Sequence, residues 1–114
     1  MHELYLAESV LNIVREYANK QAVGKVNSIA LSFGRLSCIE PRSLQFAFKV
    51  QAQGTPAQDA ELQFKILPAV IHCFACGSNW EVDMYEGICP RCKAEEVMLV
   101  GGTEELQLLE MDVD

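Results

Sequence analysis

Two Cys-x-x-Cys pairs, Cys73/Cys76 and Cys89/Cys92, stand twelve residues apart and constrain this chain more than any other feature. Each pair makes a tight loop in which two sulfurs converge, and four converging thiolates form a closed tetrahedral site suited to zinc. With every position taken by protein, such a metal has no place for water or substrate, so catalysis at it is not expected. A redox dithiol or an iron–sulfur cluster would use the same loops and stands as the alternative. The segment carrying the cysteines, residues 69–100, is too short to bury a sufficient core by itself, so a bound metal would supply much of its stability.

The rest of the composition narrows the class. The 114 residues carry 16 acidic and 9 basic side chains, a formal charge of −7, which disfavours a general affinity for nucleic acid. Between Ala69 and Val100 only Arg91 and Lys93 face Glu81, Asp83, Glu86, Glu95 and Glu96, so no nucleic-acid partner is expected there either. No stretch approaches the ~18 to 20 apolar residues of a membrane span, and the start Met1-His2-Glu3-Leu4 lacks the basic and apolar regions of a signal peptide. The expectation is a soluble, cytoplasmic protein without membrane insertion, whose clustered cysteines bind metal rather than form disulfides. Cys38 is left over and reads as a small buried residue.

Hydrophobic spacing outlines an α+β chain. Leu4, Ala7, Val10, Leu11, Val14 and Ala18 recur at three and four and predict an amphipathic helix from near the amino terminus. Lys25–Phe33 reads as a strand ending at Gly34, followed by a connector to Ile39. Glu40-Pro41 starts a second helix, with Leu44, Ala47 and Phe48 on one face and Gly54 as its stop. The strict alternation of 61–66 predicts a half-buried strand with Leu62, Phe64 and Ile66 toward the core. The tail 105–113 is strand-like, but Leu106 and Leu108 are out of phase with Leu109, Met111 and Val113, which implies a bulge or burial on both sides. The expected fold is a three-stranded sheet with two helices, residues 1–68 and 101–114, into which a small zinc-ribbon-like domain, 69–100, is inserted.

Three further features carry chemistry. His72, beside Cys73, could orient a ligand, be a fifth ligand or simply be a strand residue. Trp80 and Tyr85 read as cover for a small metal core, with a binding surface as the alternative. At the amino terminus, the Met1 amine and the backbone nitrogen and imidazole of His2 form a short run of nitrogens of the kind that Ni(II) or Cu(II) takes in planar geometry. An exposed histidine without a metal is the plainer reading of the same residues. Glu3, in the first helical turn, would offset the repulsion of a cation by the helix dipole and offers an oxygen ligand.

Met1-His2-Glu3 opening a helix, the segment Gly34-Arg35-Leu36-Ser37-Cys38-Ile39-Glu40, and the late C-x2-C-x12-C-x2-C together resemble the HypA family over essentially the full length. The resemblance implies a nickel metallochaperone, not an enzyme, that helps place nickel in the large subunit of nickel–iron hydrogenase with the GTPase HypB. It implies structural Zn(II) at Cys73, Cys76, Cys89 and Cys92, and transient Ni(II) at Met1, His2 and Glu3. An acidic residue at the start of the second helix, here Glu40, approaches nickel in some members; its other reading is a helix cap. Members that couple zinc to pH carry histidines just after the cysteine pairs, whereas this chain has Gly77-Ser78 and Lys93, so a pH-switched zinc site is not expected. Some members dimerise by exchanging elements, and the sequence leaves a weak homodimer open. The competing function is a zinc-ribbon module that binds a protein or nucleic acid, with no nickel role.

Overall fold

A computed structural model describes residues 2–114, the side chain of His2 excepted. In chain order the elements are α1 (His2–Gln21), β1 (Val26–Gly34), a 3-10 turn (Arg35–Ser37), α2 (Pro41–Gln51), β2 (Glu61–Leu67), β3 (Ala69–Cys73), β4 (Asn79–Val82), β5 (Val97–Gly101) and β6 (Gln107–Val113). They form two compact units. One gathers the residues up to Ser32, Ile39–Lys65 and Leu106–Asp114; the other gathers Phe33–Cys38 and Ile66–Glu105. These borders differ from the partition into 1–68 plus 101–114 and 69–100, chiefly because the segment after β1 joins the cysteine-bearing unit.

The first unit packs α1 and α2 with a sheet of order β2-β1-β6. Ala7, Val10, Leu11 and Val14 of α1 meet Leu44, Ala47 and Phe48 of α2 and Ile29 and Leu31 of β1 in one buried cluster. Leu4 departs from the expected stripe: it lies in the first turn of α1 and is 45 % exposed. Gln51 of α2 donates to the Leu4 carbonyl (3.1 Å) and holds that turn by a polar contact instead. At its other end α1 closes with Ala22 in the left-handed region (φ 53°) and Val23 N–H donating to Ala18 C=O at 3.0 Å, the six-to-one bond of a Schellman cap.

The out-of-phase tail is resolved by a bulge. In the antiparallel β1–β6 pair, Ala30 faces Glu110 and Leu31 faces Leu108, so Leu109 is the extra residue and points out, 50 % exposed. Leu106 and Leu108 before it and Met111 and Val113 after it then all pack against the core. On β2 the alternation fades: Leu62 is buried and Phe64 packs against the core, but Ile66 is 46 % exposed. Ile66 already belongs to the second unit, where the β2 chain leaves the helices that cover Leu62.

The second unit contains an antiparallel sheet of order β4-β3-β5, in addition to the single three-stranded sheet that hydrophobic spacing predicts. Its central strand is β3, with Ala69, Ile71 and Cys73 buried on one face. The chain after β1 is sewn to it by Gly34 N–H to Glu104 C=O (2.9 Å), Leu36 N–H to Gly102 C=O (2.7 Å) and an Arg35–Asp83 ion pair (2.8 Å). Gly34 is required there because a Cβ would overlap the Gly102 carbonyl and crowd the Glu104 amide. Cys38 is exposed rather than buried, at φ 63°, where it ends the 3-10 turn.

Two substitutions test these contacts. Gly34→Ala sets a methyl against backbone that cannot step aside, and denaturant unfolding is expected to show a loss of about 1–3 kcal/mol. Ala22→Gly relieves the left-handed strain against a smaller entropic loss, for an expected gain of about 0.5 kcal/mol in the same measurement.

Candidate metal centre

The two cysteine loops are built alike. In the first, Gly77 N–H donates to Cys73 C=O (2.8 Å), Cys73 N–H donates to Ser78 C=O (3.0 Å), and Cys76 N–H points at Cys73 Sγ (3.4 Å). In the second, Lys93 N–H donates to Cys89 C=O (3.0 Å), Cys89 N–H to Ala94 C=O (2.8 Å), and Cys92 N–H points at Cys89 Sγ (3.4 Å). Each turn needs a left-handed residue after its second cysteine: Gly77 at φ 73° and Lys93 at φ 64°. Glycine meets that demand without strain, whereas Lys93 carries its Cβ into it.

The loops bring all four sulfurs within 4.8 Å of one another. Cys73–Cys92 and Cys76–Cys89 are 3.5 and 3.9 Å apart, far beyond a disulfide and close to the roughly 3.8 Å edge of a tetrahedron with 2.3 Å zinc–sulfur bonds. Cys73 and Cys89 are buried, and Cys76 and Cys92 face outward. Four thiol donors at these spacings, with amides aimed at the sulfurs, fit a divalent, thiophilic ion.

The sulfurs do not share their protons evenly. The Cys92 amide, with lesser help from the Arg91 amide, holds the pKa of Cys89 down to about 6, and the Ser78 amide lowers that of Cys76. Cys92 receives a hydrogen bond from the Ala94 amide, but the Cys73 and Cys89 sulfurs and burial outweigh it and push this thiol up to about 11. One thiolate is thus favoured at neutral pH while its neighbour retains a proton that a metal must displace.

Other residues singled out by the sequence fall as follows. His72 is a β3 residue opposite Asn79, its Nδ1 2.6 Å from Asn79 Oδ1 and its ring edge-on to Phe74, and it is not in the four-cysteine cluster. Trp80 of β4 is half-buried, whereas Tyr85 is 48 % exposed and covers little. Glu40 caps α2, its Oε1 accepting from Arg42 N–H at 2.9 Å, as the following Pro41 suggested. Glu3 lies in the first turn of α1, half-buried. The terminal nickel expectation falls largely outside the described residues, which exclude Met1 and the His2 side chain.

A helix-and-sheet unit joined to a ribbon that closes four thiols on one point defines a small metal-binding α+β protein. The family model described as hydrogenase/urease nickel incorporation, metallochaperone, hypA matches residues 1–113, and the chain belongs to the HypA family. It is 47 % identical to hydrogenase maturation factor HypA of Syntrophus aciditrophicus and 39 % identical to hydrogenase maturation factor HypA 2 of Bradyrhizobium diazoefficiens, each over the whole of both chains. The fold matches the solution structure of the Ni metallochaperone HypA from Helicobacter pylori, with 97 % of this chain and 96 % of that one covered, a TM-score of 0.62 and 20 % identity. A second HypA solution structure aligns with a TM-score of 0.68 at 22 % identity, covering 99 % and 96 % of the two chains. The chain is therefore a nickel-incorporation metallochaperone for hydrogenase, and its chemistry is ligation and release rather than turnover. No described helix is long and apolar enough to cross a membrane.

The thiol pattern sets the sign of a pH effect. Lowering pH through about 6 protonates Cys89 and opposes metal uptake; at neutral pH uptake must expel at least the Cys92 proton. Zinc added to metal-free protein in weak buffer with a pH indicator is expected to release at least one proton per ion, and chelator competition to show affinity falling as pH drops.

Proposed function

We propose that this protein carries Ni(II) at Met1-His2-Glu3 while a resident Zn(II) at Cys73, Cys76, Cys89 and Cys92 maintains the second unit. The observation that carries this reading is the family match over residues 1–113, which begins at those three residues. The fold is consistent with it. The helix starts at His2, Glu3 lies in its first turn, and Gln51 holds the adjacent Leu4 carbonyl. The Met1 amine, the His2 amide nitrogen and the His2 imidazole would form fused chelate rings around a planar ion, with Glu3 opposing the positive end of the helix dipole. Glu40 completes the proposed ligand set; a carboxylate has two oxygens, so capping α2 through one is compatible with ligation through the other.

In this reading nickel passes to the large subunit of nickel–iron hydrogenase in concert with the GTPase HypB in the cytoplasm. A site built from a chain end suits that task, since its ligands can be exchanged one at a time with an incoming partner. The cysteine site, closed by four sulfurs, suits retention.

Nickel titration of the protein with its native terminus is expected to show a site that is lost in His2→Ala and in a form with one residue added before Met1. Zinc content should stay unchanged in both. Unchanged nickel affinity in both variants would sink the terminal site. Glu40→Gln separates its two roles: weaker nickel binding with an intact helix supports ligation, and unchanged binding leaves Glu40 a cap alone.

A further inference from the structure

Helix α2 carries two phenylalanines two residues apart, and they meet opposite fates. Phe48 is 1 % exposed in the core, whereas Phe46 is 70 % exposed on the outer face, with Val50 one turn further on also exposed. Single exposed apolar side chains are common on any surface, but Phe46 is one wall of a built recess. Between α2 and β2 runs an open groove of about 440 Å³ lined by Pro41, Arg42, Gln45, Phe46, Lys49 and Phe64, all in the first unit. Phe64 is half-buried and packs against the core, which gives the groove a fixed apolar side. Gln45 ties the two walls together, its Oε1 accepting from Leu62 N–H of the outer strand β2 at 3.2 Å.

Charge sets the groove apart from the rest of the surface. The chain has 16 acidic residues against 9 basic ones, yet the lining holds Arg42 and Lys49 and no carboxylate. Neither cation has an ion-pair partner among the described residues. Asp59 and Glu61 lie in a neighbouring hollow that Lys49 also borders, so the positive field is stronger at the Arg42 end. A hollow of similar size on the cysteine-bearing unit has the opposite character, with Glu81, Asp83 and Glu86 against Lys93.

We propose that the α2–β2 groove is a docking site for a short acidic segment of a partner protein. The segment sets an aromatic or aliphatic side chain against Phe46 and Phe64 while its carboxylates meet Arg42 and Lys49. Aromatic and arginine side chains are the commonest anchors of protein interfaces. Arg42 offers a planar fork that grips a carboxylate through two hydrogen bonds, and Lys49 adds a point charge. From Pro41 to Lys49 the helix advances about 12 Å, the span of three to four extended residues, which suits a linear segment. The overall charge of −7 works against both an anionic membrane and a second copy of the same chain as the occupant. The groove shares no residue with the cysteine cluster or with the proposed nickel ligands, so the inference goes beyond both metal readings.

The test titrates short synthetic peptides into the full isotope-labelled chain and follows its backbone amides by NMR. One peptide places aspartates and glutamates around a central tryptophan and leucine; a second replaces the acids with amides, and a third replaces the apolar pair with serines. The first peptide alone is expected to give saturable shifts centred on residues 41–50 and Phe64, with affinity falling several-fold as salt is raised to physiological strength. Phe46→Ala, at a side chain too exposed to hold the fold, should weaken binding on the order of 10-fold. Arg42→Glu combined with Lys49→Glu should abolish it with helix content unchanged, and Met84→Ala, an exposed apolar residue of the other unit, should leave it unaltered. No saturable shifts, shifts centred elsewhere, equal binding of the amide peptide or indifference to Phe46→Ala overturns the proposal. Binding to phosphatidylserine vesicles, or self-association, that is lost in Phe46→Ala while the acidic peptide does not bind gives the groove to lipid or to a second copy and overturns it equally.

Discussion

The convergence of four sulfurs is the constraint on which the second unit depends. Its fully buried apolar residues are few: Phe33, Ala69, Ile71, Cys73 and Cys89, two of which are themselves thiols of the cluster. Strands β4 and β5 alternate between half-buried and exposed and contribute no fully buried side chain. A sheet with so little apolar cover gains little from packing against the entropy of ordering its loops, and a metal tying both loops together would replace the missing core. The first unit has no such need, since two helices close over a sheet with a contiguous apolar cluster.

The two units differ in how much of them could be read from the sequence, for the same reason. Where burial drives structure, periodicity reports it: the α1 stripe from Ala7 to Ala18, the α2 face at Leu44, Ala47 and Phe48, and the central strand all lie as spacing predicts. The phase break in the tail announced an irregularity, and the register shows it to be a one-residue bulge at Leu109. Where hydrogen bonds and ligation drive structure, periodicity is weak. The short β3, β4 and β5 were absorbed into an undivided insert, although Ala69, Ile71 and Cys73 alternate. Leu4, Ile66 and Cys38 mark the edges of the cores, where the pattern continues in sequence after its partner surface has ended.

The candidate site was legible in a similarly uneven way. Spacing alone identified the four cysteines, because two tight loops of this type leave the sulfurs little choice but to meet. It gave no hint that the β3–β4 register sets Trp80 opposite Ile71 or that Arg91 of the second loop lies over its ring. Glu40 was legible as a cap from Pro41 after it, and His72 resolves into a strand residue tied to Asn79. The family relationship, by contrast, was carried by three separated motifs, Met1-His2-Glu3, residues 34–40 and the paired cysteines, that no local physical rule connects.

The strand β1 is the central strand of the helix-bearing sheet up to Ser32, and its final residues, Phe33 and Gly34, belong to the cysteine-bearing unit. The backbone therefore runs between the units four times, after Ser32, Cys38, Lys65 and Glu105. Neither unit is a contiguous stretch that could be excised, duplicated or shuffled into another protein by a single insertion. A change in the ribbon must still leave Gly102 and Glu104 placed for the end of β1, and a change in β1 must still leave it ending in a glycine that fits beneath them.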